Sequence, residues 1–185
     1  MIVSLKEMLQ EANRGRYAVG AFNCLSLENV EGAIAAAEEL NAPIIIQLAE
    51  VQFPCAPMNL MAPIYLEAAR RASVPVVGHL DHGQSFETCA EAIRLGFGSV
   101  MFDGANLPFE ENVAVTSAVS HMAKAMGVDV EAELGKVGDV GVMLVNAQTG
   151  WEVGNVIQGR YARILNKPLI AVVNQLDGEK ANFEA

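Results

Sequence analysis

The first 133 residues repeat one pattern five times: a helix-like segment, a short break, then a short apolar run. The runs are Tyr17–Asn23, Pro43–Ala49, Val74–His82, Ser99–Asp103 and Val128–Glu133. Their helical partners are Ser4–Asn13, Leu27–Leu40, Met61–Ala72, Ser85–Leu95 and Glu110–Met126. β-branched strands alternating with amphipathic helices predict a parallel sheet covered by helices, an α/β fold. The punctuation agrees. Ser4 with Glu7 three residues on forms a possible capping box, Ser85 is an N-cap candidate, and Gly127 follows the last helix. Tyr17–Asn23 is expected to be buried, and Pro63 is compatible with a helix only in its first turn.

Two architectures compete, an open doubly wound sheet and a (β/α)₈ barrel. An open sheet usually carries a glycine-rich phosphate turn after its first strand, and here Phe22-Asn23-Cys24 stands in that place. The barrel has the better signal. Polar residues fall at or just past the end of each run: Asn23, Gln47, Asp81 with His82, Asp103 and Glu133. Period-two alternation sets His79 on the same side as Asp81, above Val77, and Glu131 on the same side as Glu133. Barrel chemistry sits on that carboxyl rim. The plainer alternative is that some of these residues simply end strands and cap turns. His121, in the middle of a helix, is read as a core or surface residue.

An imidazole beside a carboxylate at a strand end suits metal-assisted carbonyl chemistry. The ring is a good zinc ligand, and the acid can move a proton while a metal polarises a carbonyl. Other function classes are disfavoured. With a net charge of −10 and scattered Lys and Arg, no basic face for nucleic acid is expected. Three cysteines, Cys24, Cys55 and Cys89, do not make a disulfide framework and imply reduced thiols. No apolar run approaches the ~20 residues that span a bilayer. The opening residues do not look like a signal peptide, so a cytoplasmic protein with no membrane partner is expected.

The segment Val-Pro-Val-Val-Gly-His-Leu-Asp-His-Gly (74–83) resembles the signature of the class II fructose- and tagatose-bisphosphate aldolases. Tyr-Ala-Val-Gly-Ala-Phe-Asn (17–23), Gly-Phe-Gly-Ser-Val-Met-Phe-Asp-Gly (96–104), Leu-Pro-Phe-Glu-Glu-Asn (107–112) and Val-Glu-Ala-Glu-Leu-Gly (130–135) continue the match in the family's order. The resemblance covers residues 1–137 and implies five strands of a partial TIM-type barrel. It implies zinc, or another divalent cation, with His82 as a ligand of the catalytic ion and Asp103 and Glu133 as residues that hold a metal in an alternative or second position. It also implies Asp81 as the acid/base on the substrate's C4 hydroxyl, with Asn23 and Gln47 as substrate-binding rim positions. The substrate implied is a small sugar phosphate, cleaved reversibly to dihydroxyacetone phosphate and glyceraldehyde 3-phosphate without a Schiff-base lysine.

No histidine follows Glu133, so the family's two later zinc histidines have no counterpart in this chain. Residues 139–154 and 167–177 resemble instead part of the GTP-binding domain of translation elongation factor G. That likeness implies two further βα strands from a different family in a βαβ fragment over 138–185. In it Val142–Asn146 and Leu169–Val173 are strands, Glu152–Leu165 is a helix, and Asn174 and Asp177 recognise the base. No phosphate-binding loop accompanies it. The expectation is a chimera joined near Lys136–Asp139, with an incomplete zinc site that leaves the chain inactive. The alternatives are a catalytically silent fusion or a GTPase-like fragment. Unpaired sheet edges predict a homo-oligomer or other self-association.

Overall fold

The computed structural model describes residues 1–134 in full, together with the backbone of strands 141–146 and 169–174. The chain divides into two units, Met1–Gly135 and Lys136–Ala185.

The first unit runs α1 (Leu5–Gly15), β1 (Gly20–Asn23), α2 (Leu27–Glu39), β2 (Ile44–Ala49), α3 (Met58–Arg71), β3 (Val76–Gly83), α4 (Phe86–Leu95), β4 (Ser99–Phe102), α5 (Phe109–Ala125) and β5 (Asp129–Ala132). The five strands form one parallel sheet in the order β1-β2-β3-β4-β5. Sequential order with every neighbour parallel is what consecutive βα units make in a barrel wall. The α/β fold and the five parallel strands expected from sequence are therefore present, an arrangement consistent with part of a TIM-type barrel.

Alternation along the strands splits the core in two. One face of the sheet, with Ile44, Ile46, Leu48, Val76, Leu80, Val100 and Phe102, packs on the helices and forms the larger cluster. Fully buried side chains such as Phe102, Leu48 and Leu80 each contribute about 1.5–3 kcal/mol through removal from water. On the opposite face Ile45 and Val77 pack with Leu5 and Met8 of α1. The opening helix thus closes the amino end of the sheet's inner face. It is held there by its capping box and by Asp129 of β5, whose carboxylate accepts from the Lys6 amide at 2.8 Å.

Two expectations need correction. The first strand is four residues long and exposed throughout, where a longer buried strand was expected. It lies at the edge of the sheet, so its apolar residues lack the neighbours that bury β2 and β3. The helix containing Pro63 starts at Met58, so the proline is its sixth residue, beyond the first turn. Pro63 and Asn59, whose carbonyl loses the usual amide partner, are both exposed, so water can take that bond.

In the second unit, β6 (Gly141–Asn146) and β7 (Leu169–Asn174) pair in parallel with aligned register, forming their own two-stranded sheet. Both strands were expected. The intervening helix, Glu152–Leu165, and Asp177 lie outside the described residues.

Candidate active site

The carboxyl ends of β1 to β5 carry the polar cluster. Register puts Gln47 beside His79 and Ala49 beside Asp81, on the face that holds Ile45 and Val77 at its lower end. Asp81 is largely buried, and the Asn23 side-chain amide donates to its Oδ2 at 3.2 Å. One expected substrate-side residue thus touches the expected acid. Gln47 shares the inner face, and among the described residues its side chain forms no hydrogen bond.

His82 reaches the same face by a different route. Between Leu80 and Gly83 the strand holds one residue more than the facing stretch of β4, from Val100 to Phe102. This is a β-bulge, and His82 takes φ 47° within it. Regular alternation would send His82 outward to the helices. The bulge brings its Nδ1 to 2.9 Å from Asp103 Oδ2 and 3.8 Å from Glu133 Oε2, with Nε2 3.8 Å from Asp81 Oδ1.

Asp103 and Glu133 each stand one residue past the last paired residues of their strands, Phe102 and Ala132. The Asp103 amide donates to the Gly83 carbonyl at 2.8 Å, and its Oδ1 accepts from the Ala105 amide at 3.1 Å. One atom each from His82, Asp103 and Glu133 lies within 4.8 Å of the others. A divalent ion binds nitrogen and oxygen ligands at about 2.0–2.2 Å, so donors 2.9 to 3.8 Å apart can share one. One imidazole and two carboxylates form a donor set suited to zinc and neighbouring divalent metals. Burial works against a charged ring at His82. The Asp103 hydrogen bond and the charges of Asp81, Asp103 and Glu133 outweigh it and raise its pKa.

Sequence reasoning assigned no role to three neighbours of this cluster. His79 is buried, with Nδ1 2.9 Å from Ser99 Oγ and Nε2 3.4 Å from Glu131. Burial lowers its pKa to about 4, so it is neutral near pH 7 and its contact with Glu131 is not an ion pair. The Tyr65 hydroxyl lies 2.5 and 2.7 Å from the carbonyls of Cys24 and Gln47, where β1 and β2 end. Asn112, buried in α5, donates to the Glu133 carbonyl at 2.9 Å. His79 could have been found from its alternation with Asp81. Nothing in the sequence marks Tyr65, and Asn112 is marked only as the last residue of the 107–112 motif, with no role attached. His121 is exposed on α5. A groove of about 550 Å³ between α2 and α3 is on the outer helical surface and away from the rim.

A parallel βα sheet with a histidine–carboxylate cluster on its carboxyl rim defines a (β/α)-barrel type of chain with a candidate divalent-cation site. The chain belongs to the class II fructose-bisphosphate aldolase family, whose sequence model, "Fructose-bisphosphate aldolase class-II", matches residues 3–158. A fructose-bisphosphate aldolase of Geobacillus stearothermophilus is 49% identical over 140 residues, and one of Staphylococcus epidermidis is 44% identical over 145. Each match covers 74% of this chain and 49% of the relative, so the chain spans about half the length of these curated relatives. Among solved structures, the YdjI aldolase of Escherichia coli K12 superposes with a TM-score of 0.71 at 26% identity, covering 92% of this chain and 72% of that one. The fructose-bisphosphate aldolase of Campylobacter jejuni, at 24% identity and a TM-score of 0.61, shares the fold.

The family implies a divalent metal, usually zinc. Its match runs through the 136–139 join expected from sequence, and the comparisons give no support to a second family after that point. Asn174 ends β7. Among the described residues, no helix is long and apolar enough to cross a membrane.

Proposed function

We propose that this chain carries the metal-and-acid side of a ketose-bisphosphate aldolase site. The reaction is reversible carbon–carbon cleavage of fructose- or tagatose-bisphosphate to dihydroxyacetone phosphate and glyceraldehyde 3-phosphate. The observation that carries the reading is the convergence of His82, Asp103 and Glu133 from three separate strand ends, with Asp81 beside them. These three hold the divalent cation, zinc or another. Bound there, the cation supplies Lewis-acid polarisation of a carbonyl. Asp81 takes the proton from the hydroxyl next to the breaking bond in cleavage and returns it in addition. Asn23 orients that carboxylate through its 3.2 Å hydrogen bond, and Gln47 faces the substrate from β2. Two of the three free cysteines are buried, which fits a reducing, cytoplasmic setting.

The test is a melting curve with and without Zn²⁺, paired with a cleavage assay. Zinc should raise the wild-type midpoint and leave His82→Ala unmoved. Asp81→Asn should keep the zinc shift and lose cleavage by about 10²–10⁴-fold. Melting indifferent to zinc, or cleavage surviving in Asp81→Asn, would sink the proposal.

For residues 138–185 we propose a βαβ unit, because a parallel β6–β7 pair needs a crossover connection. A nucleotide role for Asn174 and Asp177 predicts a GDP-induced rise in melting temperature. No rise at millimolar GDP would remove it.

We further propose that the chain self-associates through its β1 and β5 edges.

A further inference from the structure

Asn112 is the one buried amide side chain of the first unit's core, and it sits where two cation-ligand strands meet. Its Nδ2 donates to the Glu133 carbonyl at 2.9 Å, and its Oδ1 accepts from Thr116 Oγ1 at 3.0 Å, one helical turn on. On its other side is Gly104, the residue after Asp103. A Cβ at Gly104 would lie 2.2 Å from Asn112 Oδ1 and 2.4 Å from its Cγ. The amide is therefore wedged between the β4–α5 turn that carries Asp103 and the end of β5 that carries Glu133.

The three candidate ligands are set in place by different means. His82 is placed by the bulge in β3. Asp103 is held through its amide on Gly83 and its side chain on Ala105. Glu133 stands one residue past the last β4–β5 pair, Phe102 with Ala132. The Asn112 amide holds its carbonyl from the α5 side. We propose that Asn112, through the space left by Gly104, is a positioning residue for the cation site, setting the Glu133 carboxylate against His82 and Asp103.

Outer partners of metal ligands change affinity by about 10–100-fold when removed. Asn112→Ala removes the donor. Asn112→Asp keeps the volume and the Thr116 contact but turns an acceptor toward the Glu133 carbonyl. Gly104→Ala pushes the amide away with its chemistry unchanged. This inference rests on the reading of His82, Asp103 and Glu133 as cation ligands, so the wild-type chain is titrated first. Co²⁺ serves as the probe, since its visible spectrum reports ligand geometry, and Zn²⁺ competition gives affinity. Metal-free melting is recorded in parallel.

The expected result is cooperative metal-free melting in all three variants, with Co²⁺ and Zn²⁺ affinity down about 10–100-fold and an altered Co²⁺ spectrum. Asn112→Ala combined with Gly104→Ala should lose no more affinity than either alone, because both act through one contact. Wild-type affinity and spectrum in folded Asn112→Asp overturn the inference and leave the metal reading standing. Loss of the folded metal-free state in both Asn112 variants assigns the residue to the fold and also overturns it. A wild-type chain that binds neither metal overturns the metal reading, and this inference with it.

Discussion

At His82 the backbone leaves the strand conformation for φ 47°, a region that costs a non-glycine residue about 1–3 kcal/mol. The return is an orientation that a regular strand cannot give, since period two would otherwise direct Asp81 and His82 to opposite faces. The next residue shows how tightly the bulge is built. A Cβ on Gly83 would meet the Met101 carbonyl oxygen at 2.8 Å and Cys89 Sγ at 3.2 Å. Below the bulge, His79 makes stability depend on pH. Its ordinary pKa is 6.5, and burial holds it to about 4 in the folded chain. The unfolded chain takes up the proton first, so this contribution is complete above about pH 6.5. It is lost as the pH falls from there toward 4. Two to three pKa units correspond to roughly 3 kcal/mol. Urea midpoints of wild type and His79→Gln should diverge at pH 7 and converge near pH 4. Parallel curves across that range would show that His79 is not held neutral.

The helices were the most legible elements, because their signals are local. Ser4 with Glu7 and Ser85 cap as the sequence suggests, and α5 stops just before Gly127. The start of α3 was misjudged because Pro63 looked like a first-turn residue, while the helix begins five residues earlier behind Pro57. An exposed proline inside a helix can be tested. Pro63→Ala restores an amide for the Asn59 carbonyl and a better helix former, against a smaller loss of unfolded-state restriction. Denaturant unfolding should show stabilisation of about 1–2 kcal/mol. A destabilised variant would show that the ring's contacts along the α2–α3 groove matter more than the missing bond. The polar strand ends were legible too, since alternation alone marks Asp81 and Glu133. Two features of the site were not. The inward turn of His82 depends on a bulge that no local residue type announces. The Asn112–Glu133 contact joins residues 21 positions apart through a helix that reads as ordinary surface and core.

For the whole molecule, the decisive fact is that this parallel sheet has two edges. Parallel sheets are normally covered on both faces, and exposed edges invite pairing. β1 is exposed throughout and pairs only with β2 among the described residues, and β5 pairs only with β4. Beside β1, a groove of about 280 Å³ is lined by Gly20, Phe22, Ala33, Leu40 and Pro43, with Phe22 54% and Leu40 76% exposed. Beside β5, one of about 420 Å³ is lined by Phe109, Val113, Thr116 and Leu134, with Leu134 71% exposed. A second copy can cover these edges. The β5 edge of one copy set parallel to the β1 edge of the other, and the reverse, buries both grooves under a two-fold axis. Light scattering should then give twice the 19.7 kDa chain mass at high micromolar concentration. Phe22→Lys places a charge on the β1 edge and should weaken association about tenfold or more, as loss of a central aromatic anchor does. The rim lies on the inner face, opposite Phe22, so zinc binding by the variant should be retained. A monomeric wild type, or a dimer untouched by Phe22→Lys, would show that these edges are not the contact.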